Sequence, residues 1–203
     1  MGLISVQLIN DKPNIDYLLL NHKGNERIYR ISPFLNPDPE ISKSILIDFL
    51  DEIGHFPVYL YIEGFHDLID KFQYNNFDYK IFYVNNYQKS ENDYIYSPPI
   101  IRIKLANKED LQKVISQTYN LAIANFPYIL TFTEFLNFDL KKQDFSDQII
   151  VPNFDFKAST SYIWIGYDGL FWDFVTNQPF YVDLNNFIKQ IPKNFKIGEI
   201  ITD

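Results

Sequence analysis

Residues 162–175, Tyr162-Ile163-Trp164-Ile165-Gly166-Tyr167-Asp168-Gly169-Leu170-Phe171-Trp172-Asp173-Phe174-Val175, decide the fold class. Two apolar runs rich in β-branched and aromatic residues, Tyr162 to Tyr167 and Leu170 to Val175, flank Asp168-Gly169. That dipeptide suits a type I′ turn, in which both central residues take positive φ and the twist matches that of the flanking strands. The turn also sets the register, because a slip of one residue sends every side chain to the opposite face. Ile165 then lies opposite Trp172 and Ile163 opposite Phe174 on one apolar face, with Trp164 opposite Asp173 on the other. This leaves Trp164 exposed or covered by a helix, and Asp173 as its exposed cross-strand neighbour.

Upstream, the spacing predicts two amphipathic helices. Asp38 caps the first, Pro39 occupies its first position, Gly54 closes it, and Ile41, Ile45, Leu46, Phe49, Leu50 and Ile53 recur on one face. Asn107 caps the second, Glu109 and Asp110 favour the positive end of its dipole, and Leu111, Val114, Ile115, Thr118, Tyr119 and Ala122 form the buried stripe. Strands are expected at Val58 to Ile62, Phe77 to Val84 and Ile101 to Leu105, and shorter helices at Phe65 to Phe72 and Leu184 to Gln190. Leu130 to Phe138 fits either strand or helix, with a short helix start read at Thr133 to Leu136, and a last strand is read at Lys196 to Ile201. Near the start, Ile4 to Ile9, Tyr17 to Leu20 and the turn Lys23-Gly24-Asn25 before Arg27 to Ile31 suggest a small hairpin. The expected class is α+β: a mixed or mainly antiparallel sheet with a C-terminal β-hairpin, packed against three to five helices. Residues 1–203 are read as a single domain, with an exposed loop or seam at 89–99 running into Pro98-Pro99, in which Tyr94, Ile95 and Tyr96 alternatively form a short edge strand.

Composition narrows the chemistry. The chain has 203 residues and no Cys, which removes disulfides, thiolate metal sites and cysteine nucleophiles. No stretch approaches a membrane span and the start lacks a secretory pattern, so a cytoplasmic address without membrane contact is expected. The net charge is −8, and residues 1–100 carry 14 acidic against 8 basic side chains. Between Asp38 and Asp70, eight carboxylates (Asp38, Glu40, Asp48, Asp51, Glu52, Glu63, Asp67, Asp70) accompany one cation, Lys43. Such a pole repels nucleic acid and attracts a basic protein. The 19 Phe, 15 Tyr and 2 Trp exceed what one core needs, which places some rings at the surface.

No phosphate-binding glycine loop, no Gly-x-Ser-x-Gly elbow and no His-Glu-x-x-His occurs, and no cofactor is expected. Glu63, His66 and Asp70 form a local N/O set in which His66 and Asp70 stand one turn apart, a weak candidate for a divalent metal. Glu134, Asp139, Asp155, Asp168 and Asp173 are the carboxylates from which an acid–base pair would be drawn. Asp168 is explained by the turn.

The segment Trp164-Ile165-Gly166-Tyr167-Asp168-Gly169 followed by Phe171-Trp172 is similar to the hairpin of Smi1/Knr4-like immunity proteins, where a Gly-x-Asp-Gly turn joins two apolar strands. The resemblance covers under a tenth of the chain and brings no binding residue with it. The leading expectation is a protein-binding module, immunity- or antitoxin-like, that meets a basic partner with Asp48, Asp51, Glu52, Asp67, Asp70 and Trp164. The alternative is a carboxylate- or metal-dependent hydrolase.

Overall fold

The computed structural model describes residues 2–9, 26–91, 94–142, 148–153 and 159–202. In chain order the elements are β1 (Gly2–Leu8), β2 (Arg27–Pro33), α1 (Pro39–Ile53), β3 (Val58–Glu63), α2 (His66–Tyr74), β4 (Tyr79–Phe82), β5 (Lys89–Glu91), β6 (Tyr94–Tyr96) and β7 (Ile100–Leu105). Then come α3 (Lys108–Ile123), β8 (Tyr128–Thr131), β9 (Asn137–Lys142), β10 (Gln148–Asn153), β11 (Ser161–Ile165), β12 (Trp172–Thr176), α4 (Pro179–Val182), α5 (Leu184–Ile188) and β13 (Phe195–Thr202). Nine strands form one sheet in the order β13-β1-β2-β12-β11-β8-β3-β7-β4, antiparallel throughout except where β13 runs parallel to β1. Among the described residues the fold is α+β with a mixed sheet and five helices.

The pleat divides the strands into two apolar faces. Ile4, Val6, Tyr29, Ile31, Leu60, Ile62, Ile103, Leu130, Ile163 and Phe174 face the helical layer, where Ile45, Leu46, Phe49 and Leu50 of α1 and Leu111, Val114 and Ile115 of α3 are buried against them. Each of those side chains contributes about 2 kcal/mol when fully buried. The helices end where local chemistry dictates. Asp38 accepts a 2.8 Å hydrogen bond from the backbone of Glu40, Gly54 closes α1 in the left-handed region at φ 65°, and Asn107 accepts from Asp110 N. The opposite face carries Ile28, Tyr59, Tyr61, Ile100, Ile129, Tyr162 and Val175. It is covered by Tyr87 and by Ile150, Phe138 and Leu140 of the separate β9–β10 hairpin.

β11 and β12 pair with Ile163 against Phe174, Trp164 against Asp173 and Ile165 against Trp172. Asp168 and Gly169 both take positive φ, 54° and 67°, with Leu170 N bonded to Tyr167 O. This hairpin is not terminal in the fold. It lies inside the sheet, between β2 and β8, and α4, α5 and β13 follow it.

Several expectations need correction. The short helix at Thr133 to Leu136 is a bend instead, because Thr133 N donates to Thr131 Oγ1 and the Glu134 carbonyl accepts from Arg102 and Tyr61 rather than from a helical turn. Trp164 is half-buried on the face away from the helices, packed on the second apolar cluster. Asp173 is wholly buried, because β2 pairs along the far side of β12 and brings Arg30 opposite it. In the 89–99 stretch Tyr94–Tyr96 forms the short strand expected there, β6, paired with β5. Tyr17 to Leu20, the Lys23–Asn25 turn and Asp155 lie outside the described residues.

Candidate protein-binding surface

The acidic stretch divides into engaged and open carboxylates. Glu40 pairs with Lys43, Asp48 accepts a 2.8 Å bond from Asn194, and Asp51 pairs with Lys108 across α1 and α3. That hydrogen bond holds the Lys108 amine above its usual range. With Asp38 capping α1 and Glu63 engaged below, five of the eight acids bond within the chain. Glu52 and Asp70 are exposed and have no ion-pair partner among the described residues. The Asp67 side chain lies outside what is described. Of the expected acidic contact set, Glu52 and Asp70 are open, Asp48 is bonded to the neutral Asn194 amide, and Asp51 is paired with Lys108.

Of the candidate metal set, Glu63 is engaged within the chain. This carboxylate is 2% exposed, accepts a 2.6 Å bond from the Tyr87 hydroxyl and pairs with Lys89 at 2.5 Å. Asp70 faces solvent on α2, and the His66 side chain lies outside the described residues. Among the described residues no group of three His, Asp or Glu side chains stands close enough to hold a metal ion.

On the face away from the helices, two buried charges are each paired with a partly exposed partner. Arg30 bonds both oxygens of Asp173 at 2.9 and 3.0 Å, and its guanidinium stacks 4.1 Å from the Phe171 ring centre. Arg102 bonds the Glu134 carbonyl at 3.0 Å and its carboxylate at 3.1 Å. Burial raises the Tyr61 hydroxyl above its usual range, opposed by Arg102 beside it. Burial also raises Tyr162 well above its usual value, reinforced by the negative charges of Asp173 and Glu26. These pairs fix strands and bends in register.

The open apolar surface lies elsewhere. Phe34, Leu35 and Tyr167 are exposed, Leu35 by 75% and Tyr167 by 64%, and Ile41 is exposed on the first turn of α1. The β2–α1 connection, that first turn and the β11–β12 turn meet at one end of the sheet. Trp172 pairs with Ile31, and the Tyr119 hydroxyl lies 3.2 Å from Ser42 Oγ while donating to Gly169 O at 2.9 Å. Their backbones are held firmly. Asn125 and Asp168 exchange two hydrogen bonds of 2.9 and 2.8 Å, Gly166 lies flat under Phe171, and Phe34 N bonds Leu3 O. At the opposite end Phe135 is 84% exposed on the bend held by Arg102 and Tyr61. The sequence placed Ile41 on the apolar face of α1, of which it is the exposed end, and assigned Phe34, Leu35, Tyr167 and Phe135 no binding role. The available signal was a run of apolar side chains inside the Pro-rich connection Ser32 to Pro39, where a core residue is not expected.

No helix of the described residues is long and apolar enough to cross a membrane. Comparison with known protein families, with curated proteins and with solved structures finds no match.

Proposed function

We propose that this chain is a protein-binding module, immunity- or antitoxin-like in character, that covers part of a basic protein partner. One observation carries the reading: Leu35, Tyr167 and Phe135 are held out in solvent on backbone segments locked by hydrogen bonds from beneath. An exposed large apolar side chain on a fixed backbone loses little entropy on docking and buries its area in the partner, which is the profile of an interface anchor. Net charge of −8 and the open carboxylates Glu52 and Asp70 speed the approach of a cationic partner. Trp164, half-buried, contributes through the shape of the sheet face.

The test is capture from a native lysate at low and high salt, with the retained proteins identified by mass spectrometry. A basic protein held at low salt and released at high salt supports the reading. Retention that ignores salt removes the role of the acidic residues, and an empty capture removes the reading.

A further inference from the structure

We propose that the end of the sheet where β2, β12 and the first turn of α1 meet is the docking surface, with Phe34, Leu35, Ile41 and Tyr167 as its apolar centre. Its occupant is a basic protein segment that presents an apolar side chain flanked by Lys or Arg. This rests on the protein-binding reading above and names its surface.

Grouping comes first. Single exposed apolar side chains are ordinary, whereas four large ones are carried on segments that meet at this end. Three chain segments deliver them: the β2–α1 connection supplies Phe34 and Leu35, α1 supplies Ile41, and the hairpin turn supplies Tyr167.

Rigidity is the second ground. Tyr119 bridges Ser42 of α1 and Gly169 of the turn from below. Asn125, beyond the last turn of α3, grips Asp168 next to Tyr167. Phe34 rests on Gly198, where a Cβ would come within 3.0 Å of its ring, and its amide is tied to Leu3. A partner meets a preformed surface and spends little binding energy on ordering it.

Charge selects the occupant. Among the described residues the border holds four carboxylates, Asp38, Glu40, Asp168 and Glu199, against two ammonium groups, Lys43, which is itself paired to Glu40, and Lys196. Arg30 beneath Phe171 is neutralised by Asp173. An acidic rim around an apolar centre favours a cationic segment and rejects an acidic one.

The experiment pans a random-peptide phage library on the immobilised natural chain and measures the recovered peptides against Leu35→Ser, Tyr167→Ser and, as control, Phe135→Ser. All three positions are exposed, so equal thermal midpoints are required of the variants. The expected peptides carry an apolar residue between Lys or Arg, bind at least about tenfold more weakly to Leu35→Ser and Tyr167→Ser, and bind Phe135→Ser unchanged. On the natural chain they protect amides of residues 34–42 and 166–171 from hydrogen exchange. No enriched peptide, or binding indifferent to Leu35→Ser and Tyr167→Ser, overturns the proposal. Concentration-dependent dimerisation, or cosedimentation with phosphatidylcholine vesicles, lost in the same two variants also overturns it, by placing a second copy or a lipid surface there. In the lysate capture, a basic protein retained equally by natural chain and variants removes this surface while the protein-binding reading stands; an empty capture removes that reading itself.

Discussion

Arg30 and Asp173, 143 residues apart in the chain, face each other across β2 and β12 through two parallel hydrogen bonds, with the carboxylate fully buried and the guanidinium partly so. The pair is bidentate and capped by the Phe171 ring, so its geometry is set from both sides. Replacing Asp173 by Ala leaves a guanidinium against an emptied, water-poor site and should destabilise the fold by about 3 kcal/mol. The double replacement Arg30→Met with Asp173→Leu should recover most of that loss. Urea midpoints of the natural chain and the two variants at matched slopes decide the matter. A single variant no worse than the double one refutes this account.

Tyr119 joins three elements through one hydroxyl. Tyr119→Phe keeps the ring packing against Tyr128 and removes the bonds toward Gly169 O and Ser42 Oγ. The orphaned Gly169 carbonyl should cost about 1–2 kcal/mol. The loss should show in the thermal midpoint, and as faster amide exchange at Tyr167 to Leu170 ahead of the rest of β11 and β12.

Alkaline stability should fall in a defined window. Burial pushes Tyr29 from the usual 10.0 up to about 12, opposed by nearby Arg27, and burial likewise pushes Tyr119 to about 12, opposed by the hydrogen bond to Ser42. Tyr128 and Tyr162 are raised by burial as well. The folded chain therefore keeps protons that the unfolded chain has lost. Its stability is fully present below the unfolded value near 10.0 and declines as pH climbs toward about 12. Tyrosinate absorbance followed alongside circular dichroism should show a group of tyrosines ionising only with unfolding. Full ionisation before any loss of structure contradicts the burial.

Gly166 is required for close approach rather than for its dihedral angles. A Cβ built there falls 2.0 Å from Phe171 Cε2, and φ is an ordinary −82°. Gly166→Ala should expel the Phe171 ring from its place over Arg30 and cost about 1–3 kcal/mol. Phe171→Ala in the same background should relieve the clash, so the double variant should lose less than the sum of the two singles.

What was legible in the sequence is what local chemistry dictates. The Asp168-Gly169 turn specified the β11–β12 register, and Asp38, Gly54 and Asn107 bounded α1 and α3, because each acts within a few residues of itself. The environment of Asp173 was not legible, since it depends on β2 arriving from the other end of the chain with Arg30 in register. Thr133 to Leu136 carries helix-compatible residues, yet Arg102 and Tyr61 claim its backbone carbonyl from β7 and β3. Neither strand is near it in sequence. The acidic stretch was visible as composition, but its internal partners Lys89, Lys108 and Asn194 come from distant segments.

The sheet order also sets a timetable for synthesis. β3, β4, β7 and β8, all within residues 58–131, are mutual neighbours and complete one half of the sheet as soon as they leave the ribosome. β1 and β2 must wait, since β12 and then β13 are made long after them, and β13 docks alongside β1 last. During that interval Ile4, Val6, Tyr29 and Ile31 belong to strands with open edges, which is the period when such a chain is most exposed to mispairing with its neighbours. The Gly198 bulge in β13, together with Lys196 and Glu199 on either side of it, leaves the finished edge a poor template once that interval ends.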